Sequence, residues 1–164
     1  LWQQKSEQIC QKIALLPQFT QAKTILAYFS IQQEPDLSPL FTTHQHWGFP
    51  RCVNNTLIWH QWQPGESLET GAYNIPEPSA NSPLINPSEV DLILVLAVAC
   101  DYLGYRLGYG GGYYDRVLSY PDYKNTLTLG IIFDFAYLSS LPVEPWDIPL
   151  KGVCTETRCQ IPLS

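Results

Sequence analysis

Positive charge is scarce in this chain. Of its 164 residues only nine are Lys or Arg, against 15 Asp and Glu, and the formal net charge is −6. No run of basic residues occurs in it. Proteins that bind nucleic acid usually carry a basic patch, so this composition argues against a nucleic-acid partner. It also means that any anionic ligand has to be held by few, well-placed cations.

Long apolar runs and paired cysteine motifs are lacking as well. The longest apolar run, Leu92 to Cys100, has nine residues, which is too short to cross a bilayer. The polar opening LWQQKSEQ does not have the form of a signal peptide. The five cysteines contain no C-x-x-C pair, which predicts neither a zinc site nor a disulfide framework. These absences predict a cytoplasmic protein without a membrane span.

The apolar content is sufficient for one ordered core. Apolar residues make up 45% of the chain and aromatic residues 13%. A length of 164 residues suits a single domain, and no internal repeat or linker divides the sequence. Residues 1–164 are therefore expected to form one domain, and a monomer is the expected state.

Apolar periodicity predicts alternating helices and strands. Ile9, Ile13 and Leu16 have helical spacing, which predicts a helix that Pro17 ends. A second helix is predicted from Asp36 toward Trp47, and a short one after a glycine-rich run. Short apolar or β-branched runs predict strands at 24–29, 48–53, 56–62, 90–98, 126–133 and 152–155, with a hairpin turn at Asn54-Asn55 between the second and the third. Residues 63–88 are rich in Pro and Gly and predict a long irregular excursion.

This alternation predicts an α/β fold: a single three-layer domain with a mainly parallel sheet and helices on both faces. In open sheets of this kind, ligands bind beyond the carboxyl ends of the strands. The loop from Ala99 to Gly112 follows the most apolar strand. A ligand site is therefore expected in that loop.

The glycine-rich run RLGYGGGYYDR, from Arg106 to Arg116, is the most specific motif. Four glycines within five residues allow the backbone N–H groups to converge on an anion, and a helix that begins there adds its dipole. The run is neither a P-loop nor a dinucleotide fingerprint, because Lys-Ser/Thr is missing and the spacing is G-x-G-G-G. From the residues alone, it is either a phosphate-binding loop or a plain turn.

The motif resembles the signature of the 5-formyltetrahydrofolate cyclo-ligase family, R-L-G-x-G-x-G-Y/F-Y-D. Further short matches follow in the family's order, and the resemblance extends from about Ser6 to Glu156. They are Gln33 to Leu37, Phe49 to Arg51, Ile75 to Pro78, Val90 to Ile93, Cys100-Asp101 and Trp146-Asp147. The resemblance implies ATP- and Mg²⁺-dependent closure of 5-formyltetrahydrofolate to 5,10-methenyltetrahydrofolate, with release of ADP and phosphate.

The resemblance also implies roles for individual residues. Arg106 would contact the transferred phosphoryl group as a catalytic residue, and Asp115 and Asp147 match magnesium ligands. ATP phosphates would be bound by the loop and its flanks: Arg106, Leu107, Gly108, Tyr109, Gly110, Gly111, Gly112, Tyr113 and Tyr114. Folate would be bound by Glu34, Arg51, Tyr73, Tyr109, Gly110, Gly111, Gly112 and Tyr113.

Each of these residues could instead have an ordinary structural role, and the sequence leaves these alternatives open. Asp115 could cap a helix, Asp147 could be a turn acid, and Arg106 could form a salt bridge that fixes its loop. Glu34 could be a loop acid, and Tyr73 could serve packing. For Asp101 the expected role is hydrogen bonding within its loop, and the three histidines show no partner pattern.

Departures from the family pattern leave a second function open. The family opens with a basic helix that reaches the ATP phosphates, whereas this chain starts at a Leu and shows only Lys5 and Lys12 there. Leu96 stands where the family usually has Pro, and Tyr109 and Gly111 stand where some members carry Arg or Lys. The alternative is therefore a non-catalytic folate-binding relative that has lost productive ATP binding.

Overall fold

The computed structural model describes residues 1–31, 33–43, 45–71, 74–108 and 113–162. Its helices are α1 (Trp2–Ala14), α2 (Pro17–Thr20) and α3 (Tyr113–Leu118). The strands of the large sheet are β1 (Thr24–Leu26), β2 (His46–Val53), β3 (Thr56–Gln61), β6 (Leu92–Leu96), β9 (Leu127–Ile131), β11 (Gly152–Cys154) and β12 (Cys159–Gln160). The smaller sheets contain β4 (Leu68–Thr70), β5 (Pro76–Pro78), β7 (Ala99–Asp101), β8 (Arg106–Leu107) and β10 (Tyr137–Leu138).

The large sheet has seven strands in the order β12-β11-β9-β6-β1-β2-β3. Its five inner strands pair in parallel, whereas the edge strands β3 and β12 are antiparallel to their neighbours. Two small sheets, β10-β7-β8 and β4-β5, lie outside it. The predicted α/β fold with a mainly parallel sheet is confirmed.

The central position of β6 in the large sheet explains the continuous apolar run of its sequence. Leu92 and Leu94 belong to one buried cluster together with α1 residues, whereas Ile93 and Val95 belong to a second cluster with α3 residues. Successive side chains of a strand point to opposite faces, so both faces of β6 are covered. Helix α3 has only six residues, and other parts of the chain are 3₁₀ turns and loops. Full layers of helices on both faces of the sheet therefore stay a prediction.

The predicted hairpin at Asn54-Asn55 is observed. Strands β2 and β3 pair along their length, and Val53 faces Thr56 across the turn. Asn54 and Asn55 have φ values of 50° and 64°, the left-handed conformation that a two-residue hairpin turn of the primed type requires. Asparagine tolerates this conformation better than most residues, which explains the pair at this position.

The predicted helix from Asp36 toward Trp47 is wrong. Asp36 does accept a hydrogen bond from the Ser38 backbone N–H, as a capping residue would, at 2.9 Å. Only a single 3₁₀ turn, Ser38–Leu40, follows. His46 already lies in β2, where its N–H donates to the Lys23 carbonyl at 2.8 Å. Pairing with β1 therefore replaces the helix, and His46 is a strand residue.

The Pro- and Gly-rich excursion has more order than its composition predicts. Strands β4 and β5 form an antiparallel pair within it. The buried Glu77 carboxylate on β5 accepts a hydrogen bond from the Cys52 N–H of β2 at 2.8 Å. A Cβ at Gly71 would stand 2.1 Å from that carboxylate, so this position requires glycine. A buried acid therefore attaches the excursion to the main sheet.

The hairpin turn supplies a first test. Replacing Asn54 by Ala should destabilise the protein by about 1 kcal/mol, because a Cβ without a local polar partner is unfavourable at positive φ. Asn54→Gly should retain wild-type stability, since glycine adopts this conformation freely. The free energy of unfolding in urea measures both variants. Equal stability of the Ala and Gly variants would contradict the conformational assignment.

Candidate functional site

The order of the strands defines a crevice at the carboxyl ends of β1 and β6. From β1 the chain continues to β2 on one side of the sheet, whereas from β6 it continues to β9 on the other side. The connections after these two neighbouring strands therefore diverge. In open α/β sheets, ligands bind where the strand order reverses in this way. The segments that follow β1 and β6 are thus the candidate walls of a site.

Asp101 holds the segment that follows β6. Its side chain is 2% exposed, and Oδ1 accepts from the N–H groups of Leu103 and Tyr105, both at 3.0 Å. Oδ2 accepts from the N–H of Leu141 at 3.1 Å. The expected role of Asp101 in loop hydrogen bonding is confirmed. Backbone donors that are hidden from water need such an acceptor, so this carboxylate determines the path of the loop.

Arg106 leaves that loop in a defined orientation. Its Nε donates to the carbonyl of Leu96 at 3.1 Å, and its Cζ lies 5.0 Å from the ring centroid of Tyr114. A Cβ at Gly108 would meet Nη2 at 2.6 Å, so glycine makes room for the guanidinium. The aromatic ring and the carbonyl fix the planar group while its terminal N–H groups remain donors. Leu107, next in the chain, is half exposed.

Tyr114 is the buried centre of this group. Burial, the largest cause, raises the pKa of its phenol to about 12, against lowering contributions from Arg106 and from a Leu96 backbone hydrogen bond. The ring of Trp59 stands edge-on to it, 6.4 Å between centroids. Trp59 is 5% exposed, and its Nε1–H has no acceptor among the described residues. Tyr114 therefore stays a neutral hydrogen-bonding group at physiological pH.

The segment after β1, a candidate wall of the crevice, contains Tyr28 and Glu34. The Glu34 carbonyl accepts from Trp2 Nε1 at 2.9 Å and from Ser30 Oγ at 3.0 Å, and the residue is 5% exposed. Tyr28, which follows β1, donates its hydroxyl to the Pro35 carbonyl at 2.9 Å. Burial raises the pKa of Tyr28 well above 10, and Tyr114 and Glu34 raise it further. Tyr28 therefore stays a neutral donor that attaches the Glu34–Pro35 backbone to the end of β1.

Helix α3 carries the two charged residues that follow the glycine run. Asp115 lies in its first turn and is half buried, and its carboxylate has no hydrogen-bonding or ion-pair partner among the described residues. Arg116 donates from Nη2 to the Asn55 carbonyl at 2.6 Å and lies 5.1 Å from the ring centroid of Tyr113. Asp115 is therefore open to a cation, whereas Arg116 joins α3 to the β2–β3 turn.

Arg51 and Asp147 each have hydrogen-bonding partners elsewhere in the chain. Arg51 Nη1 donates to Glu69 at 2.9 Å and to the Pro78 carbonyl at 2.7 Å, and Glu77 is 3.9 Å away. Asp147 Oδ2 accepts from the Glu144 N–H at 2.8 Å, within one turn. Across the described ranges, no hydrogen bond, ion pair or ring contact joins either residue to Arg106 or Tyr114.

Five of the residues that the family resemblance selects lie outside the described residues, so their roles stay predictions. They are Tyr73, Tyr109, Gly110, Gly111 and Gly112.

Sequence reasoning missed Tyr28, Trp59 and Glu77. Tyr28 and Trp59 occur within apolar strand patterns, where a polar tip has no separate signal. Glu77 lies in the predicted irregular excursion and becomes recognisable only through its contact with Cys52. All three depend on partners that are distant in sequence.

No group of three or more His, Cys, Asp or Glu side chains suited to a metal occurs in the part of the chain that the structure describes. Within the same residues, no helix has both the length and the apolar character needed to cross a membrane. A cation at Asp115 would therefore keep most of its ligands as water or substrate oxygens, as Mg²⁺ commonly does.

Fold and site together define an α/β domain in which Arg106 lies in the segment that follows β6, beside the reversal of strand order. The family model for the 5-formyltetrahydrofolate cyclo-ligase family matches residues 1–156. This chain belongs to that family, and the resemblance noted from its motifs is confirmed.

Curated relatives match over nearly the whole chain. The 5-formyltetrahydrofolate cyclo-ligase of Escherichia coli K12 is 30% identical over 166 aligned residues, covering 95% of this chain and 90% of that protein. The enzyme of the same name from Haemophilus influenzae is 31% identical, covering 93% of this chain and 87% of that protein.

Solved structures agree with the fold. The NMR structure of Aquifex aeolicus 5,10-methenyltetrahydrofolate synthetase has a TM-score of 0.85 at 33% identity and covers 97% of this chain and 81% of that one. A 5,10-methenyltetrahydrofolate synthetase from Mycoplasma pneumoniae, with a TM-score of 0.72 and 21% identity, covers 94% of this chain and 87% of that one and supports the fold alone.

The loop that Asp101 holds can be tested directly. Asp101→Asn should lower the free energy of unfolding by about 2 kcal/mol, because the amide replaces one buried acceptor by a donor and removes the charge. Asp122→Asn, at an exposed position, is the matched control and should leave stability within about 0.5 kcal/mol of wild type. Urea unfolding followed by tryptophan fluorescence measures both. An Asp101 variant as stable as the control would contradict the anchoring role.

Proposed function

We propose that this chain closes the ring of 5-formyltetrahydrofolate to 5,10-methenyltetrahydrofolate at the expense of ATP. Membership of the cyclo-ligase family over residues 1–156 supports the reaction. The assignment to this site rests on the position of Arg106. Its guanidinium is held between the Leu96 carbonyl and the Tyr114 ring at the crevice, beside the glycine run.

The chemistry requires activation of a formamide oxygen, which is a poor leaving group. Transfer of the γ-phosphoryl group of ATP to that oxygen gives an imino-phosphate and ADP. N10 of the folate then attacks the activated carbon, and phosphate departs as the new C–N bond closes the ring. Since the substrates supply both nucleophiles, the protein mainly positions two anionic ligands and stabilises the charge of the transferred group.

Arg106 is suited to stabilise the transferred phosphoryl group. Its Nε is used by the Leu96 carbonyl, so the group has a fixed direction, and the terminal N–H groups are available for phosphate oxygens. The structure also bears on Leu96, where the family usually has Pro. The Leu96 carbonyl is the acceptor for Arg106 and the residue ends β6, so the loop leaves the strand with an ordered contact.

Asp115 fits a magnesium ligand. Its half-buried carboxylate lacks a partner among the described residues, and α3 places it directly after the glycine run. When bound, Mg²⁺ neutralises phosphate charge during the transfer. Asp147 would be the second ligand, and its Oδ2 accepts a hydrogen bond from the Glu144 N–H. The phosphate-binding roles of Leu107, Gly108, Tyr113 and Tyr114 rest on the same motif.

Glu34 is the best-supported folate contact. A carboxylate there can accept two hydrogen bonds from the N–H groups of a pterin, and its backbone is held by Trp2 and Ser30. Arg51 would contact the folate glutamate only in competition with Glu69 and Glu77, which already pair with it. Arg51 would therefore have to exchange its protein partners for the substrate. A monomeric state and a cytoplasmic location stay predictions.

The reaction is tested by the absorbance of 5,10-methenyltetrahydrofolate in the near ultraviolet. We expect this band to appear when the chain is mixed with 5-formyltetrahydrofolate, ATP and MgCl₂, and to stay absent when ATP or Mg²⁺ is omitted. Absence of the band from the complete mixture, with folate binding still detected by calorimetry, would refute the activity and support the binding-only alternative.

The role of Asp115 has its own test. Asp115→Asn should lower turnover by at least about 100-fold, because the amide loses the negative charge that a hard cation requires. Folate affinity should be nearly unchanged, since the metal serves the nucleotide. Asp122→Asn is the matched control and should keep wild-type turnover. A parallel loss of folate affinity in calorimetric titration would assign Asp115 to the folate site or to folding instead.

A further inference from the structure

Two of the five cysteines face each other in the last hairpin. Cys154 on β11 and Cys159 on β12 are direct cross-strand partners in the antiparallel register. Both are free thiols in the structure. Cys154 is fully buried, whereas Cys159 is half-buried and packs on the same apolar cluster. One residue of the pair is therefore partly exposed, and its cross-strand partner is buried.

The hydrogen bonds of the hairpin define the spacing of the pair. The N–H of Thr155 donates to the Arg158 carbonyl at 2.8 Å, which makes Thr155 and Arg158 the hydrogen-bonded pair next to the turn. Ladder hydrogen bonds alternate, so Cys154 and Cys159 form a non-hydrogen-bonded pair, whose Cα atoms are about 4.5 Å apart. Disulfides join Cα atoms at about 4.4–6.8 Å. A bond between these two residues therefore requires little movement of the backbone.

The loop between the cysteines is already ordered. Thr155 Oγ1 donates to Asp134 Oδ1 at 2.5 Å, and the Asp134 N–H donates to Glu156 Oε1 at 2.8 Å. Although partial burial raises the pKa of Asp134, hydrogen bonds from Thr155 and Thr157 and the charges of Arg158 and Lys5 lower it overall. The carboxylate therefore stays charged and holds the turn, so the thiols face each other before any bond forms.

The two thiols differ in acidity. A hydrogen bond from Cys154 lowers the pKa of Cys159, against the effect of burial and with a further contribution from Lys12. The same hydrogen bond and burial raise the pKa of Cys154. Since the thiolate is the nucleophile in disulfide exchange, Cys159 is the residue that attacks.

From this geometry we propose that Cys154 and Cys159 form a thiol–disulfide exchange site that accepts low-molecular-weight disulfides, such as oxidised glutathione, and stores the oxidation as an intramolecular disulfide. Among the described residues, no hydrogen bond, ion pair or ring contact joins Cys154 or Cys159 to Arg106 or Tyr114, and the exchange does not depend on the proposed reaction. In a reducing compartment the site stays a dithiol.

The exchange occurs in two balanced steps. The Cys159 thiolate attacks one sulfur of the disulfide RSSR, which forms a mixed disulfide at Cys159 and releases one RS⁻. Cys154 then loses its proton and attacks the Cys159 sulfur, which forms the Cys154–Cys159 bond and releases the second RS⁻. The protons of the two thiols end on the two RSH products. The protein dithiol is oxidised by two electrons and RSSR is reduced by two.

The other three cysteines lack these features. Cys10 donates to the Asp36 carbonyl at 3.3 Å, and burial raises its pKa to about 12. Burial likewise raises the pKa of Cys100 to about 12. Cys52, half-buried on β2, faces Leu57 across the hairpin rather than a thiol. Cys52 is therefore the matched control, because it is half-buried like Cys159 but has no thiol opposite it.

Trypsin separates the two cysteines, which makes the bond directly observable. It cleaves after Lys151 and Arg158, so Cys154 and Cys159 fall on different peptides. The folded chain is incubated with oxidised glutathione, the remaining thiols are alkylated, and the monomer from a non-reducing gel is digested without reduction. We expect the two peptides to be linked, and titratable thiols in the denatured protein to fall by two from five.

Variants define the controls. Cys52→Ser should give the same linked peptides as the wild type. Cys159→Ser should abolish the link and leave Cys154 as a free thiol after the same treatment. A wild-type chain that retains all its thiols, that carries glutathione at Cys159 without a link to Cys154, or that links either residue to another cysteine would overturn the proposal.

Discussion

A buried carboxylate without a cationic partner among the described residues organises the crevice. Asp101 accepts from three backbone N–H groups, two in its own turn and one at Leu141, forty residues further along the chain. A negative charge that is hidden from water is tolerated only where such donors compensate it. The same contacts therefore stabilise the charge and determine where the chain runs before Arg106. The orientation of Arg106, its ring contact with Tyr114 and the start of the glycine run all follow from that path.

The parts of the fold that the sequence predicts are those with strong local signals. The apolar run of β6, the Asn54-Asn55 turn and the periodicity of α1 each depend on neighbouring residues, and all three are observed. The predicted helix after Asp36 has a genuine local signal too, since the Asp36 carboxylate accepts a hydrogen bond from the Ser38 N–H. It fails because strand pairing at His46, which no local pattern indicates, competes for the same residues.

The residues of the candidate site likewise divide into those with a local sequence signal and those without one. Arg106 and Asp115 were identified because the motif itself is contiguous and characteristic of a family. Trp59, from β3, meets Tyr114 only in the folded chain, where the two rings stand edge to face. Arg51 shows the converse case, because its sequence context suggests a substrate contact, whereas Glu69 and Glu77 already neutralise it. Residue type and spacing identify candidates, whereas the partners of each side chain become known only in the folded chain.

The contact between Arg116 and the Asn55 carbonyl has a consequence for the entropy of ligand binding. Six residues are too few for an isolated helix to persist in water, so α3 owes its order to tertiary contacts. Asn55 belongs to a tight turn between two paired strands, and therefore Arg116 attaches the helix to a rigid part of the sheet. The residues that follow the glycine run are thus ordered before any ligand arrives. A phosphate group that binds at this end of the helix meets N–H groups whose conformational entropy was already lost during folding.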